Sequence, residues 1–222
     1  MLSSSWPLFD LRLRTPRLEL RPPADGDLEE ILEVIGAGIH DPAEMPFGVA
    51  WTDVESPERE WNALKWYWRQ RAELSPESWS VTLAVFTEGR FVGIQDVMAQ
   101  GFLAKGIVST GSWLGQPFQG QGIGKEMRTA VLFLAFDGLG ADIASSESFL
   151  DNQASIAVSR AVGYEEDGYG RLTPRGERRD TIRWRLTGER FEKLRADGHY
   201  AAYEPIEIEG LEPCLPLLGL GV

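Results

Sequence analysis

Cysteine and histidine are scarce in this sequence, which holds one cysteine, Cys214, and two histidines among 222 residues. A single cysteine excludes an intramolecular disulfide and any metal cluster built on several cysteines. Neither His40 nor His199 has a metal-ligating neighbour at a usable spacing, so we expect no bound metal. Such sparing use of cysteine fits a reducing, cytoplasmic location.

Positive charge is also in short supply. The chain has 22 Lys and Arg against 34 Asp and Glu, a net charge of −12. An acidic surface disfavours nucleic-acid binding and favours cationic partners, a class that includes amines before they react. The same acidity is also explained by solubility alone, so it does not select a function by itself.

Long apolar runs are missing as well. Residues 1–14 lack the basic and apolar regions of a signal peptide. The apolar segment 215–220 is far shorter than the ~20 residues that span a bilayer. We therefore expect no membrane partner, and we expect this segment to dock on the domain or on a second subunit of a homo-oligomer.

Apolar periodicity predicts helices and strands in mixed order. A hairpin is predicted where Glu88-Gly89 separates two alternating segments. The predicted strands are 17–21, 80–86, 91–98, 107–114, 143–149, 164–170 and 181–187, and the helices are 25–35, 58–72, 123–136, 152–163 and 189–196. We expect a single α/β (α+β) domain over residues 1–222, with a mixed central sheet of about seven strands, helices on both faces and an irregular tail from about residue 198.

Three alternating glycines, Gly120, Gly122 and Gly124, lie between the predicted strand 107–114 and the helix that follows. Glycine permits positive φ and lets a ligand approach the backbone closely. Unpaired N–H groups at a helix N-terminus attract anions. A strand, a glycine-rich turn and a helix in this order predict a phosphate site.

The spacing of this loop departs from the common nucleotide motifs. A P-loop needs glycine at the position of Gln119 and Ser or Thr at the position of Glu126. A dinucleotide loop needs a third glycine where Lys125 stands. ATP and NAD are therefore disfavoured as ligands.

The segment Gln119-Gly120-Gln121-Gly122-Ile123-Gly124 resembles the acyl-CoA loop of the GNAT superfamily. That loop has the form Gln/Arg-x-x-Gly-x-Gly/Ala. Residues 111–114 resemble the fourth strand of that superfamily, and residues 151–155 with 162–164 resemble its Asn-x-x-Ser…Gly-Phe segment. Residues 15–21 are similar to the branch of the ribosomal-protein N-terminal acetyltransferases. Together these resemblances cover residues 15–187.

The resemblance implies an N-acyltransferase that moves an acyl group, acetyl in first place, from a CoA thioester to a primary amine by direct attack. Some actinobacterial members of this branch look similar along their length, and one depends on succinyl-CoA, so acetyl-CoA and succinyl-CoA are both expected donors. The acceptor is a protein N-terminus, a lysine or a small amine. A CoA-binding regulatory module without turnover is the alternative from another class.

The resemblance also implies roles for individual residues. The backbone of Gln119, Gly120, Gln121, Gly122, Ile123 and Gly124 would bind the pyrophosphate, and the backbone of Trp113 and Leu114 would pair with pantetheine and polarise the thioester. Asn152 and Ser155 share a helix face and would contact the cofactor. Ser155 would protonate the leaving thiolate, because the superfamily's tyrosine is absent near Ser159, a weaker candidate. Lys125 and Arg128 are either phosphate ligands or surface charges.

A general base must deprotonate the amine before attack, and a carboxylate or a water chain can do so. Asp96 and Glu147 are the candidate bases because they lie in predicted strands that border the cleft. The sequence has no Gly-x-Ser-x-Gly elbow, so acyl-enzyme chemistry is disfavoured. The loop around Met45 and Trp51 and the helix with Trp61 and Trp68 either shape the acceptor pocket or fill the core.

Overall fold

Residues 5–221 are described by the computed structural model, and they contain nine strands and six α-helices. The strands are β1 (Arg12–Arg14), β2 (Leu18–Arg21), β3 (Ser78–Thr87), β4 (Arg90–Gln100), β5 (Ile107–Leu114), β6 (Ile143–Phe149), β7 (Glu165–Leu172), β8 (Arg179–Thr187) and β9 (Glu207–Glu209). The helices are α1 (Leu28–Ala37), α2 (Glu58–Ala72), α3 (Phe102–Lys105), α4 (Ile123–Phe133), α5 (Gln153–Ala161) and α6 (Gly188–Ala196).

All nine strands belong to one sheet in the order β7-β8-β6-β5-β4-β3-β2-β1-β9. Every neighbouring pair is antiparallel except β5 and β6, which run parallel. A parallel pair needs a crossover, and α4 supplies it. The mixed sheet predicted from the sequence is confirmed, with two more strands than expected.

The two extra strands, β1 and β9, pair with each other at the sheet edge, where Leu13 lies opposite Ile208. Each has three residues, too few for alternation to mark a strand. The expectation of an irregular tail was therefore wrong for Glu207–Glu209. A 3-10 helix follows at Glu212–Leu218, and its Cys214 and Leu218 are buried against the domain.

Helices cover both faces of the sheet, as predicted. The larger core cluster packs α4, α5 and α6 on one face, with Met127, Ile156 and Phe191 among its buried residues. The smaller cluster packs α1 and α2 on the other face, through residues such as Ile31 and Tyr67. We call these the α4 face and the α1 face.

The tryptophans of α2 do not lie in either core. Trp61 is 56% exposed and Trp68 is 48% exposed, while Ala63 and Tyr67 are the buried residues of this helix. Helical spacing alone does not say which face of an amphipathic helix meets the sheet. Among residues 5–221, no helix has both the length and the apolar character to cross a membrane.

Candidate active site

The two neighbours of β5 pair with it over different lengths. Its pairing with β4 extends from Ser109 to Leu114, whereas its pairing with β6 ends at Ser109 opposite Ser145. At the next residue a side-chain hydrogen bond takes the place of a backbone one, because Thr110 Oγ1 donates to the Ser145 carbonyl at 3.2 Å. Beyond Ser109 the structure shows no further pairing between β5 and β6, and we call this unpaired stretch between the two strands the splay.

Backbone direction along β5 decides which amides face the splay. The N–H of Gly115 donates to the Val92 carbonyl at 2.9 Å, on the β4 side. Because backbone groups alternate along a strand, the N–H of Trp113 also points to β4, and those of Ser112 and Leu114 point into the splay. The structure thus supports a free amide at Leu114, and it adds Ser112, which the sequence reasoning missed.

The predicted phosphate loop follows directly. The backbone N–H groups of residues 120–124 donate to no protein atom within residues 5–221. Gly120 has φ of 74° and Gly122 has φ of 82°, so both adopt the left-handed conformation that favours glycine. Gly122 caps α4, which begins at Ile123. Five successive amides at a helix N-terminus suit a pyrophosphate.

Two glutamine side chains brace this loop. Gln119 Nε2 donates to the carbonyls of Ile39 and Leu114 at 2.8 and 2.9 Å. The backbone N–H of Gln119 donates to the Gln116 carbonyl. Gln121 Nε2 donates to the Pro117 carbonyl at 2.7 Å. These side chains fix the conformation that leaves the following amides free.

Asn152 and Ser155 lie together at the start of α5, beside the splay. The Asn152 side chain caps the helix by accepting the Ser155 N–H at 3.0 Å. The Ser155 hydroxyl lies 2.8 Å from that of Ser148 on β6, which accepts the Trp184 indole N–H at 3.2 Å. Ser159 is fully buried and its hydroxyl has no partner among the described residues, so it does not face the splay.

The candidate bases lie on the α1 face, on either side of β5. Asp96 stands opposite Gly111 in the β4–β5 register and accepts a hydrogen bond of 2.6 Å from Thr82 Oγ1. Burial raises the pKa of Asp96 to about 7, a value suited to a base near neutral pH. Glu147 on β6 is exposed and accepts a hydrogen bond from Thr181.

The loop between α1 and α2 extends across this face. The Trp51 ring lies 6.4 Å from that of Trp113, at the end of β5. The guanidinium of Arg175, in the turn between β7 and β8, pairs with Asp53 at 2.6 Å. The loop therefore reaches from the end of β5 to the turn before β8. Its Met45 is buried and its Trp51 packs against the smaller core cluster, so both residues contribute to the core. The exposed Trp61 and Trp68 contribute to no core there.

Arg128 occupies a place that the sequence did not suggest. It is 3% exposed and lies between α4 and the sheet, so it is not a surface charge. Its guanidinium donates to the side chains of Gln95, Ser112 and Ser146, one from each of three successive strands. Burial lowers its pKa. Lys125, by contrast, is exposed beside the loop.

Cys214 lies in the tail and is buried, and burial raises its pKa to about 11. A thiol of that kind is a poor nucleophile at neutral pH. Within residues 5–221, no group of three His, Cys, Asp or Glu side chains is placed to hold a metal ion.

Comparison with known proteins points to one family. The profile described as an acetyltransferase (GNAT) domain matches residues 17–165. Similar solved structures include a GCN5-related N-acetyltransferase from Brucella melitensis, with a TM-score of 0.68, 19% identity and coverage of 87% of this chain and 86% of that one. At such identities the likeness shows the fold alone.

Two further structures were determined in complex with CoA or CoA-disulfide. Mycobacterium smegmatis RimJ matches with a TM-score of 0.66 and 21% identity, covering 87% of this chain and 97% of its own. RimL, a ribosomal-protein alpha-N-acetyltransferase, matches with a TM-score of 0.62 and 18% identity, covering 78% and 94%. The profile match spans more than half of the sequence, and the chain belongs to the GNAT acetyltransferase family.

Proposed function

We propose that this enzyme transfers an acyl group from a CoA thioester to a primary amine by direct attack. The observation that carries the proposal is the combination, on β5 and the loop after it, of a free strand edge and the unpaired amides of residues 120–124. An extended pantetheine arm can pair with a strand edge as an added strand would. The pyrophosphate then reaches the N-terminus of α4.

The residues around the splay take separate roles in this proposal. The N–H of Leu114 hydrogen-bonds the thioester carbonyl as it becomes an oxyanion, an interaction of about 3 kcal/mol. Asp96 removes the proton of the amine directly or through water, and Glu147 is the second candidate for that role. Ser155 donates to the sulfur of the departing CoA, and Asn152 holds the helix turn that presents Ser155.

Acetyl-CoA is the first donor in this proposal, and succinyl-CoA is the alternative. A succinyl donor calls for a cation near the end of the acyl group. Arg183 and Arg185 lie opposite Glu147 and Ser145 in the β6–β8 register, on the α1 face. A longer acyl chain that emerges on that face would meet their guanidinium groups.

The acceptor in this proposal is a protein N-terminus, a lysine or a small amine. The name of RimL specifies alpha-amino groups of a ribosomal protein, which makes peptides with free N-termini the first acceptors to test. The acidic surface of the present chain, with a net charge of −12, suits a cationic amine.

Calorimetry with acetyl-CoA, succinyl-CoA and free CoA tests the donor site. We expect binding of at least one thioester and of CoA, and release of CoA thiol when an amine is added. Absence of binding by all three would refute the proposal. Binding without thiol release across the acceptor panel would favour the CoA-binding regulatory module.

A further inference from the structure

In the acyl transfer proposed above, on which this inference rests, the departure of CoA leaves a negative charge on its sulfur. When the tetrahedral intermediate collapses, the C–S bond breaks and its electron pair goes to sulfur. The products are an amide and a CoA thiolate, which is later protonated by the proton lost from the amine or by solvent. No tyrosine lies on α5 to donate that proton, and a serine hydroxyl is a much weaker acid than a thiol. The thiolate therefore needs a positive charge nearby.

Arg128 holds such a charge without a negative partner. Its Nε donates to Gln95 Oε1 at 3.3 Å, and its two Nη atoms donate to Ser146 Oγ at 3.2 Å and Ser112 Oγ at 2.9 Å. All three acceptors are neutral. Buried charges in proteins are normally paired with an opposite charge. A guanidinium that is 3% exposed among neutral acceptors is ready to stabilise an incoming anion.

The guanidinium spans the splay. Ser112 lies on β5 and Ser146 on β6, past the point where pairing between the two strands ends. The Ser146 hydroxyl donates onward to the Thr110 carbonyl at 3.2 Å. The Ser112 hydroxyl has no acceptor among the described residues. Because it accepts from Arg128, its own proton points away from the guanidinium and is free to donate into the splay.

Few other titratable groups face this guanidinium. The Tyr164 hydroxyl lies against it and 3.1 Å from Thr110 Oγ1, and burial raises its pKa, so it stays neutral. Glu126, on the same helix, is paired with Arg17. Asp96 and Glu147 adjoin Gln95 and Ser146 in sequence, but they point to the opposite face of the sheet.

We propose that Arg128, acting through the Ser112 hydroxyl, stabilises the CoA thiolate as the leaving group. The hydrogen bond from Ser112 is charge-assisted, which makes it shorter and stronger than one from an isolated serine. Ser112 is thus a second contact to sulfur beside Ser155, and Arg128 is the residue that polarises Ser112. Together they make a strong acid on α5 unnecessary.

The pKa of the enzyme-bound CoA thiol tests this arrangement directly. We expect ultraviolet titration of the thiolate to show a pKa about 1 to 3 units below that of free CoA. Arg128→Met should remove most of that decrease and lower kcat about 10²-fold. Arg128→Lys should restore part of both, and Ser112→Ala should give a smaller loss. Arg171→Met, which removes an exposed and paired charge on β7, should change neither the thiol pKa nor kcat.

Desulfo-CoA has no thiol, so its binding distinguishes a general loss of CoA affinity from a loss of thiolate stabilisation. We expect Arg128→Met to bind desulfo-CoA as the wild type does and to keep its circular dichroism, while the bound thiol pKa rises. An unchanged thiol pKa and kcat in Arg128→Met would overturn the inference. A loss of activity with succinyl-CoA alone would also overturn the inference, because Arg128 would then bind the carboxylate of the acyl group. If the unmodified enzyme binds neither CoA nor desulfo-CoA, the proposed function itself fails.

Discussion

The two edges of β5 differ in how far they are paired, and the difference separates stability from chemistry. Along β4 the strand is paired from Ser109 to Leu114, and the side chains around it are packed. Along β6 the ladder stops at Ser109, and backbone amides remain free. Unpaired amides are costly in a buried sheet, so they persist where a ligand satisfies them. We call these the closed edge and the open edge.

The closed edge should give the largest effect on stability. Gly93 lies opposite Leu114, and a Cβ there would collide with the Trp113 carbonyl and lie 2.9 Å from the Leu114 Cα. We expect Gly93→Ala to lower the free energy of unfolding by about 3 kcal/mol, because backbone must move. Urea denaturation measures this. Gly36→Ala, in helix α1 with open space around it, should raise stability by up to about 1 kcal/mol.

Equal urea midpoints for Gly93→Ala and the unmodified chain would show that the closed edge is loosely packed. The distinction between the two edges would then be lost.

Asp96 tests whether a residue of the closed edge also serves the chemistry. We expect Asp96→Asn to lower kcat about 10²-fold, because the base is removed. The free energy of unfolding of this variant should instead increase at neutral pH. The pKa of Asp96 is raised from 3.8 to about 7, so the folded protein holds a proton that the unfolded chain releases. Wild-type stability therefore falls as pH rises from about 4 to 7.

Thermal unfolding across this pH range should show that Asp96→Asn removes that decline. The variant should be the more stable protein above pH 7 and should lose its advantage toward pH 4. A kcat that does not change would transfer the role of base to Glu147, whose Glu147→Gln variant is the matched comparison.

The open edge should respond in CoA affinity. Gly122 caps α4 with φ of 82°, a conformation that costs an L-residue about 1 to 2 kcal/mol. We expect Gly122→Ala to weaken CoA binding about tenfold, because the amides of the loop turn away from the pyrophosphate. Calorimetry measures this against Gly26→Ala, a surface glycine with open space around it. Equal affinities would argue that the loop does not bind CoA.

The smallest effect is expected at Ser155. Loss of one hydroxyl contact costs about 1 kcal/mol, so Ser155→Ala should lower kcat about fivefold while KM for the donor stays the same. Ser159→Ala, one turn along the same helix, removes a buried hydroxyl without a partner and should leave kcat unchanged. Steady-state kinetics of the two variants give the contrast. A larger loss in the second variant would contradict the placement of Ser155 beside the splay.

Much of this site could be predicted because its signals are local. The bounds of β5 and β6 agree with the alternation of their side chains, and glycines mark the start of α4. Asn152 and Ser155 are three residues apart, so their placement together at the start of α5 could be predicted from their spacing alone. Local patterns of this kind name the elements and their ends without knowledge of the partner strands.

The other features of the site could not be predicted, because they depend on which face of each helix or strand packs against the rest of the protein. The surface alternative for Arg128 is wrong, because this residue is 3% exposed, and the core alternative for Trp61 and Trp68 is wrong, because both are exposed. A buried guanidinium is rare, so the sequence suggested only a phosphate ligand or a surface charge for Arg128. The direction of the Ser112 amide needed the hydrogen bond of Gly115 as a reference. These facts arise from pairing between distant segments.

The pairing of β1 with β9 has a consequence for synthesis on the ribosome. Leu13 is translated long before its partner Ile208, because the two residues are far apart in the sequence. Until then, β1 has an exposed backbone edge that can recruit other nascent chains. The sheet is therefore completed only after Glu207–Glu209 has emerged, and chaperones that cover unpaired strands can act on this edge until then.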